Sequence, residues 1–207
     1  MPSPYESQGG YGRLEQMGIP IIECADYMEV SPLARAEWIR VYGMLFGVEQ
    51  RADSLFKEIE QRYNELKGLA STRKERPRLL TERPLSGTWH VPNGESTTGI
   101  LYRDAGADYL FADIPGSGAS AMSIEMVLDR AMHADLWLIK SFGPLTKEQI
   151  IDDTPACKHI PARLLVCNTE EVPFFEETPF HPEYLLENLI SILHPELGLK
   201  AEHEYFR

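Results

Sequence analysis

Beyond residue 77 the chain alternates short apolar strands with helices, and this alternation narrows the possible folds more than any other feature. The strand candidates are RLLTE (78–82), DYLFAD (108–113), LWLIK (136–140) and RLLVCN (163–168), and helical spacing falls on 96–105, 123–133, 146–151 and 182–193. Strands joined through helices run parallel, and a parallel sheet needs helices over both faces. The expected fold class is therefore α/β: an open parallel sheet with helices on both faces and right-handed crossovers.

The upstream part reads differently. MGIPIIEC ends in a short β-branched run read as a strand, ADYMEVSP as a loop, and Ser31-Pro32 opens a helix over 33–46 that stops at Gly47. A longer helix follows over 49–70. Ala52, Leu55, Phe56, Ile59, Tyr63, Leu66 and Ala70 recur at three- and four-residue steps and form one apolar stripe. STRKERPR ends it. Periodicity alone describes a surface helix on one domain as well as a bridge between two lobes.

Composition excludes several functions. A net charge of −12, from 32 acidic and 20 basic side chains, leaves no basic face for nucleic acid. No apolar run reaches the length of a membrane span, and the polar start MPSPYESQGG does not read as a signal peptide, which by itself points to the cytosol. Cys24, Cys157 and Cys167 are odd in number and far apart, so no disulfide framework is implied, and Cys167 inside LLVCN reads as a small buried hydrophobe. His90, His133, His159, His181, His194 and His203 show no HxxxH or HExxH spacing, no GxSxG elbow follows a strand, and PGSGAS (115–120) matches neither glycine-rich nucleotide signature and reads as a flexible loop. No catalytic set, resident metal or cofactor emerges.

In an open parallel sheet, ligands sit outside the carboxyl ends of the strands. The segments placed there are 83–97, 114–122, 141–146 and 169–180. They carry Trp89, His90, Asn93, Ser96 and Thr97 in the first, Phe142 in the third, and Phe174 and Phe175 in the fourth. Such an aromatic rim points to a large, flat, partly apolar ligand, with core packing as the competing use of each ring. Ser96 or Thr97 caps the helix that follows, where free N–H groups could hold an anionic group. Glu125, in the first turn of another helix, suits the helix dipole and could also meet an arginine on a partner.

Taken together, IPIIECADYMEVSPLARAEWIRVYGMLFG, ADSLFKEIEQRYNELK, GTWHVPNGESTTGILYRDAGADYLF, SIEMVLDRAMHADLWLI and VPFFEETPFHPEYLLENLISILHPEL resemble the substrate-binding proteins of ATP-binding-cassette importers for iron complexes and cobalamin. The resemblance is to the class whose two α/β lobes are joined by one long helix. It implies three parts: a remnant of the N-terminal lobe over 1–48, a linking helix over 49–76 and a C-terminal α/β lobe over 77–207. It implies that the chain performs no chemistry. Its role would be to capture an iron complex (siderophore or haem) or a corrinoid between the lobes and deliver it to an ABC permease, which Glu125 would engage. Trp89, His90 and Asn93 would line the cleft, with Trp89 as a stacking surface; Tyr27, Glu29 and Arg35 would line it from the other side.

The family's N-terminal lobe should hold about a hundred further residues ahead of MPSPYES. The resemblance therefore implies a fragment of a periplasmic parent, which a lipid on its missing part could anchor, with small lobe motion because the linker is one stiff helix. Residues 1–48, without the rest of their sheet, would expose apolar surface and favour self-association or disorder. An enzyme or cofactor-carrying subunit on a similar fold, and a protein-interaction domain, are the alternatives.

Overall fold

The structure, a computed structural model, describes residues 13–207. The polar start MPSPYESQGG lies outside the described residues. A short turn of helix, α1 (Arg13–Gln16), leads through an irregular stretch to α2 (Pro32–Phe46) and α3 (Glu49–Ser71). Ser31 caps α2 by accepting a hydrogen bond from the Ala34 N–H at 3.1 Å, and Gly47, at φ 67°, ends it in the left-handed conformation that a side chain would resist. IPIIEC is not a strand. No described strand lies beside it to share a hydrogen-bond ladder, and β-branched composition without a neighbour does not make a strand.

The apolar stripe of α3 is buried as its spacing requires, but its two halves serve different cores. Phe56 and Ile59 pack with Ala36 of α2 in a small cluster, whereas Tyr63, Leu66 and Ala70 join the main core. α2 and α3 meet closely at Gly43, where an added Cβ would collide with the Cβ of Ala52. Gly43→Ala gains helix propensity but forces the two helices apart, so a net loss of about 1–2 kcal/mol is expected. A thermal unfolding midpoint below that of the parent chain checks this; an unchanged or higher midpoint contradicts it.

The remaining elements are β1 (Arg78–Thr81), β2 (Pro84–Leu85), β3 (Thr88–Pro92), α4 (Thr97–Asp104), β4 (Asp108–Tyr109), β5 (Ala119–Ser123), α5 (Ile124–Ala131), β6 (Leu136–Ser141), α6 (Lys147–Asp153), β7 (Arg163–Asn168), α7 (Phe174–Glu177) and α8 (Pro182–Leu193). β4-β1-β6-β7 form a parallel sheet, as the alternation predicts. Leu136, Trp137, Leu138 and Ile139 of β6 are all buried, so both faces of the sheet are covered. α3 packs on α8 and α4. The buried Asp104 ties α3 to α4 by accepting from the Tyr63 hydroxyl at 3.0 Å and pairing with Lys67 at 3.1 Å.

Two further features, both beyond residue 77, depart from the sequence expectation. DYLFAD contributes a strand of only two residues before the chain turns; the carbonyl of Leu110 is taken by the Arg130 guanidinium at 2.7 Å instead of by a ladder. A second, antiparallel sheet, β2-β3-β5, was not foreseen, and its last strand begins inside the PGSGAS segment read as a flexible loop. The large apolar side chains that remain exposed are concentrated in the upstream region and include Met17, Ile22, Met28, Met44 and Phe46.

Candidate functional site

Trp89 is not a cleft lip. β3 alternates its side chains, so Trp89 and Val91 face inward while His90 faces solvent. The Trp89 indole is 0% exposed, donates to the Thr81 carbonyl at 3.0 Å and lies 5.8 Å from the ring of Trp137. It offers no stacking face to a ligand. Asn93 is also buried: its side-chain amide donates to the Pro115 carbonyl at 3.1 Å and its backbone N–H to Gly118, which ties two loops together. Ser96 is the N-cap of α4, accepting from the Gly99 N–H at 3.0 Å and donating to the Asn93 carbonyl at 2.7 Å.

The upstream candidates divide in the same way. Tyr27 is exposed and is not part of the cavity that Arg35 borders. Glu29 is a brace: its carboxylate accepts from the Trp38 indole at 3.0 Å and its backbone carbonyl accepts from the Thr97 hydroxyl at 2.8 Å, fixing the loop before α2 onto the start of α4. Arg35 donates to Asp26 at 3.1 Å and forms part of a cavity wall. Phe142, at 85% exposed, borders a separate shallow depression beside Arg83. Glu125 is exposed at the start of α5, its carboxylate held below the usual range by its own backbone N–H and the Ser123 hydroxyl.

One cavity, of about 320 Å³, brings Arg35, Thr97, Phe174 and Phe175 together between α2, α4 and the α7–α8 segment. Phe174 packs on the core through Tyr205 and Phe206, at ring separations of 5.7 and 6.3 Å, while Phe175 is 62% exposed. The cavity floor holds residues that the sequence reading did not single out. Lys140, near the end of β6, pairs with Glu82, and the Tyr102 hydroxyl lies 3.1 Å from that of Thr81. Burial pulls the Lys140 pKa down, but Tyr102 and Glu82 outweigh it and leave the pKa raised, so the ammonium stays charged. The only sequence signal for Lys140 is a cation interrupting the apolar run LWLIKS.

Both cations of the cavity, Arg35 and Lys140, are held by a carboxylate, and the rest of the wall is aromatic, aliphatic or hydroxylic. Such a lining suits a partly apolar ligand, and its cations could meet anionic groups by exchanging ion-pair partners. Among the described residues no group of three or more His, Cys, Asp or Glu side chains is arranged to hold a metal ion, and no helix is long and apolar enough to cross a membrane.

A family model described as periplasmic binding protein matches residues 8–163. An uncharacterized lipoprotein of Methanocaldococcus jannaschii is 25% identical over 209 residues, covering 98% of this chain and 49% of its own length. The chain thus spans about half the length of the curated relative it matches. Among solved structures, a periplasmic heme-binding protein from Pseudomonas aeruginosa superposes with a TM-score of 0.69 at 17% identity, covering 100% of this chain and 72% of that one. An ABC-type Fe3+-hydroxamate transport system protein from Saccharomonospora viridis gives 0.60 at 18% identity, covering 87% and 63%. At these identities the likeness is one of fold.

Proposed function

This chain belongs to the family of periplasmic binding proteins, and on that premise we propose that it serves an ABC importer outside the cytoplasm, binding an iron complex, either haem or a ferric siderophore, or a corrinoid. The cavity between α2 and the C-terminal α/β body carries this reading, because it joins Arg35 and Thr97 to Phe174 and Phe175 across 140 residues of sequence. Its volume is at the low end for small-molecule sites, so it takes an edge or arm of such a ligand while the rest lies over the exposed Phe175. The metal arrives inside its chelate, which suits a wall of rings and paired cations. The heme and hydroxamate names of the structural neighbours support this ligand class, and the lipoprotein relative supports an extracytoplasmic location.

In this reading α3 links the upstream elements to the C-terminal lobe, its split stripe giving each side its own apolar cluster. Glu125 meets an arginine of the permease. The apolar side chains exposed between residues 14 and 48 favour association with a second copy at high concentration. The test is a titration of haem, a ferric hydroxamate, a ferric catecholate and cobalamin into the chain, followed by absorbance and intrinsic fluorescence. One of them is expected to saturate at one site. A folded chain that binds none of the four overturns the reading.

A further inference from the structure

The segment joining α7 to α8 faces two ways. Thr178 and Pro179, with Pro182 at the start of α8, form part of the wall of the ligand cavity. Phe180, His181 and then Tyr184 line a more open groove on the other side, which shares no lining residue with that cavity. The contacts that hold the outer side of this link therefore also set the position of the cavity wall.

The outer side is held by rings and by one buried carboxylate. His181 and His203 stack against Tyr184, at 4.6 Å and 5° and at 4.0 Å and 6°, and Phe180 meets Tyr42 of α2 edge to face at 5.8 Å. Glu183 is only 4% exposed. One of its oxygens lies 2.8 Å from His181 Nδ1, and the other has no hydrogen-bond partner. No described Lys or Arg is in the lining of the groove. A carboxylate this far from water is costly without a positive charge beside it, and the His181 imidazole is placed to carry that charge.

We propose that His181 and Glu183 are a positioning pair for the ligand cavity: the imidazolium–carboxylate contact holds the 178–182 wall in place, and loss of the imidazole proton slackens it. This rests on the ligand cavity of the proposed function. The hydrogen bond to Glu183 raises the His181 pKa against the opposing effect of burial, and the charges of Glu183 and Glu177 add to the rise. A histidine whose pKa is raised on folding stabilises the fold fully below its unfolded value, about 6.5, and loses that contribution as the pH climbs through its folded value. The wall is therefore firm in mildly acidic solution and loosens in alkaline solution. The neighbouring elements bring no competing cation. Glu177 of α7 accepts from the Tyr205 hydroxyl at 2.8 Å and lies 3.5 Å from His203 Nδ1 of the tail, while Glu176 and Glu202 add negative charge. Tyr42 of α2, pushed up to about 12 by its hydrogen bond to Cys24 and by burial, stays uncharged throughout.

The test is amide hydrogen exchange followed by mass spectrometry, at about pH 6 and about pH 8.5, with rates corrected for the intrinsic base-catalysed increase. In the parent chain the amides of 178–185 should exchange at least about threefold faster at the higher pH than the correction accounts for, while those of β6 should not. His181→Asn, which keeps a neutral donor near Glu183, and Glu183→Gln should each remove the difference. Equal corrected rates at the two pH values in the parent overturn the proposal, and so does a difference that both variants keep. Haem, a ferric hydroxamate, a ferric catecholate and cobalamin are titrated at the same two pH values. For the one that binds, the parent's loss of affinity at the higher pH should exceed that of His181→Asn by at least about threefold; equal losses overturn the connection to the cavity. If none of the four binds, the ligand reading fails, while the exchange rates still decide whether the pair holds the wall.

Discussion

Replacing Trp137 by alanine is expected to cost the chain about 3–5 kcal/mol of stability, the largest loss from any single side chain considered. Trp137 is 0% exposed in β6, a central strand paired with β1 on one side and β7 on the other. Its ring faces that of Trp89 at 5.8 Å and 32°. The two indoles also hold consecutive backbone carbonyls: Trp89 Nε1 donates to Thr81 at 3.0 Å and Trp137 Nε1 to Glu82 at 2.7 Å. Glu82 sits at φ 61°, a conformation that costs a non-glycine residue energy and persists only where its surroundings enforce it. Alanine at 137 would leave a cavity, remove the donor to the Glu82 carbonyl and release that turn. Urea unfolding monitored by circular dichroism measures the loss; a change below about 0.5 kcal/mol, within the range of surface substitutions, would contradict it.

The second large effect is expected at Glu82 itself. Glu82→Ala keeps a non-glycine residue at the same positive φ, so backbone strain is little changed and the substitution isolates the loss of charge. It leaves the Lys140 ammonium without its carboxylate. Removing one partner of a buried pair costs about 3–5 kcal/mol, and the lower end applies here because each side chain keeps 23% of its surface in water. Lys140→Met should cost less, because the carboxylate left behind sits at a turn and can rotate toward solvent. The double substitution should be less destabilising than the sum of the two, with a coupling of about 1–3 kcal/mol in a double-mutant cycle. Strict additivity would show that the pair carries no interaction energy.

Much of the fold was legible because its signals are local. The helix expected over 182–193 forms over those residues, and the apolar stripe read over 49–70 is the buried face of α3. Ser96, Ser123 and Thr146 each cap the helix they precede. What could not be read depends on neighbours distant in sequence. IPIIEC has strand composition but no pairing partner, and DYLFAD loses its last four residues to a turn that Arg130 fastens from α5. The candidate cavity was legible to a similar degree. Arg35, Thr97, Phe174 and Phe175 do share a cavity, whereas period-two alternation along β3 carries Trp89 into the core, a consequence visible only once TWHVP is known to be a strand. Lys140 was passed over because one cation inside an apolar strand gives no sign of what it faces.

The most direct test of ligand capture between α2 and the α/β body is a comparison of dissociation constants for the chelate that binds, in Phe175→Ala, Arg35→Ala and Phe142→Ala. All three side chains are at least partly solvent-exposed, so the fold should survive each change. Phe175→Ala and Arg35→Ala should each weaken binding about tenfold, equivalent to roughly 1.4 kcal/mol, while Phe142→Ala, outside the cavity, should leave it unchanged. Loss of affinity in Phe142→Ala, with the other two unaffected, would move the site to the rim at the ends of β6 and α6 and contradict the account.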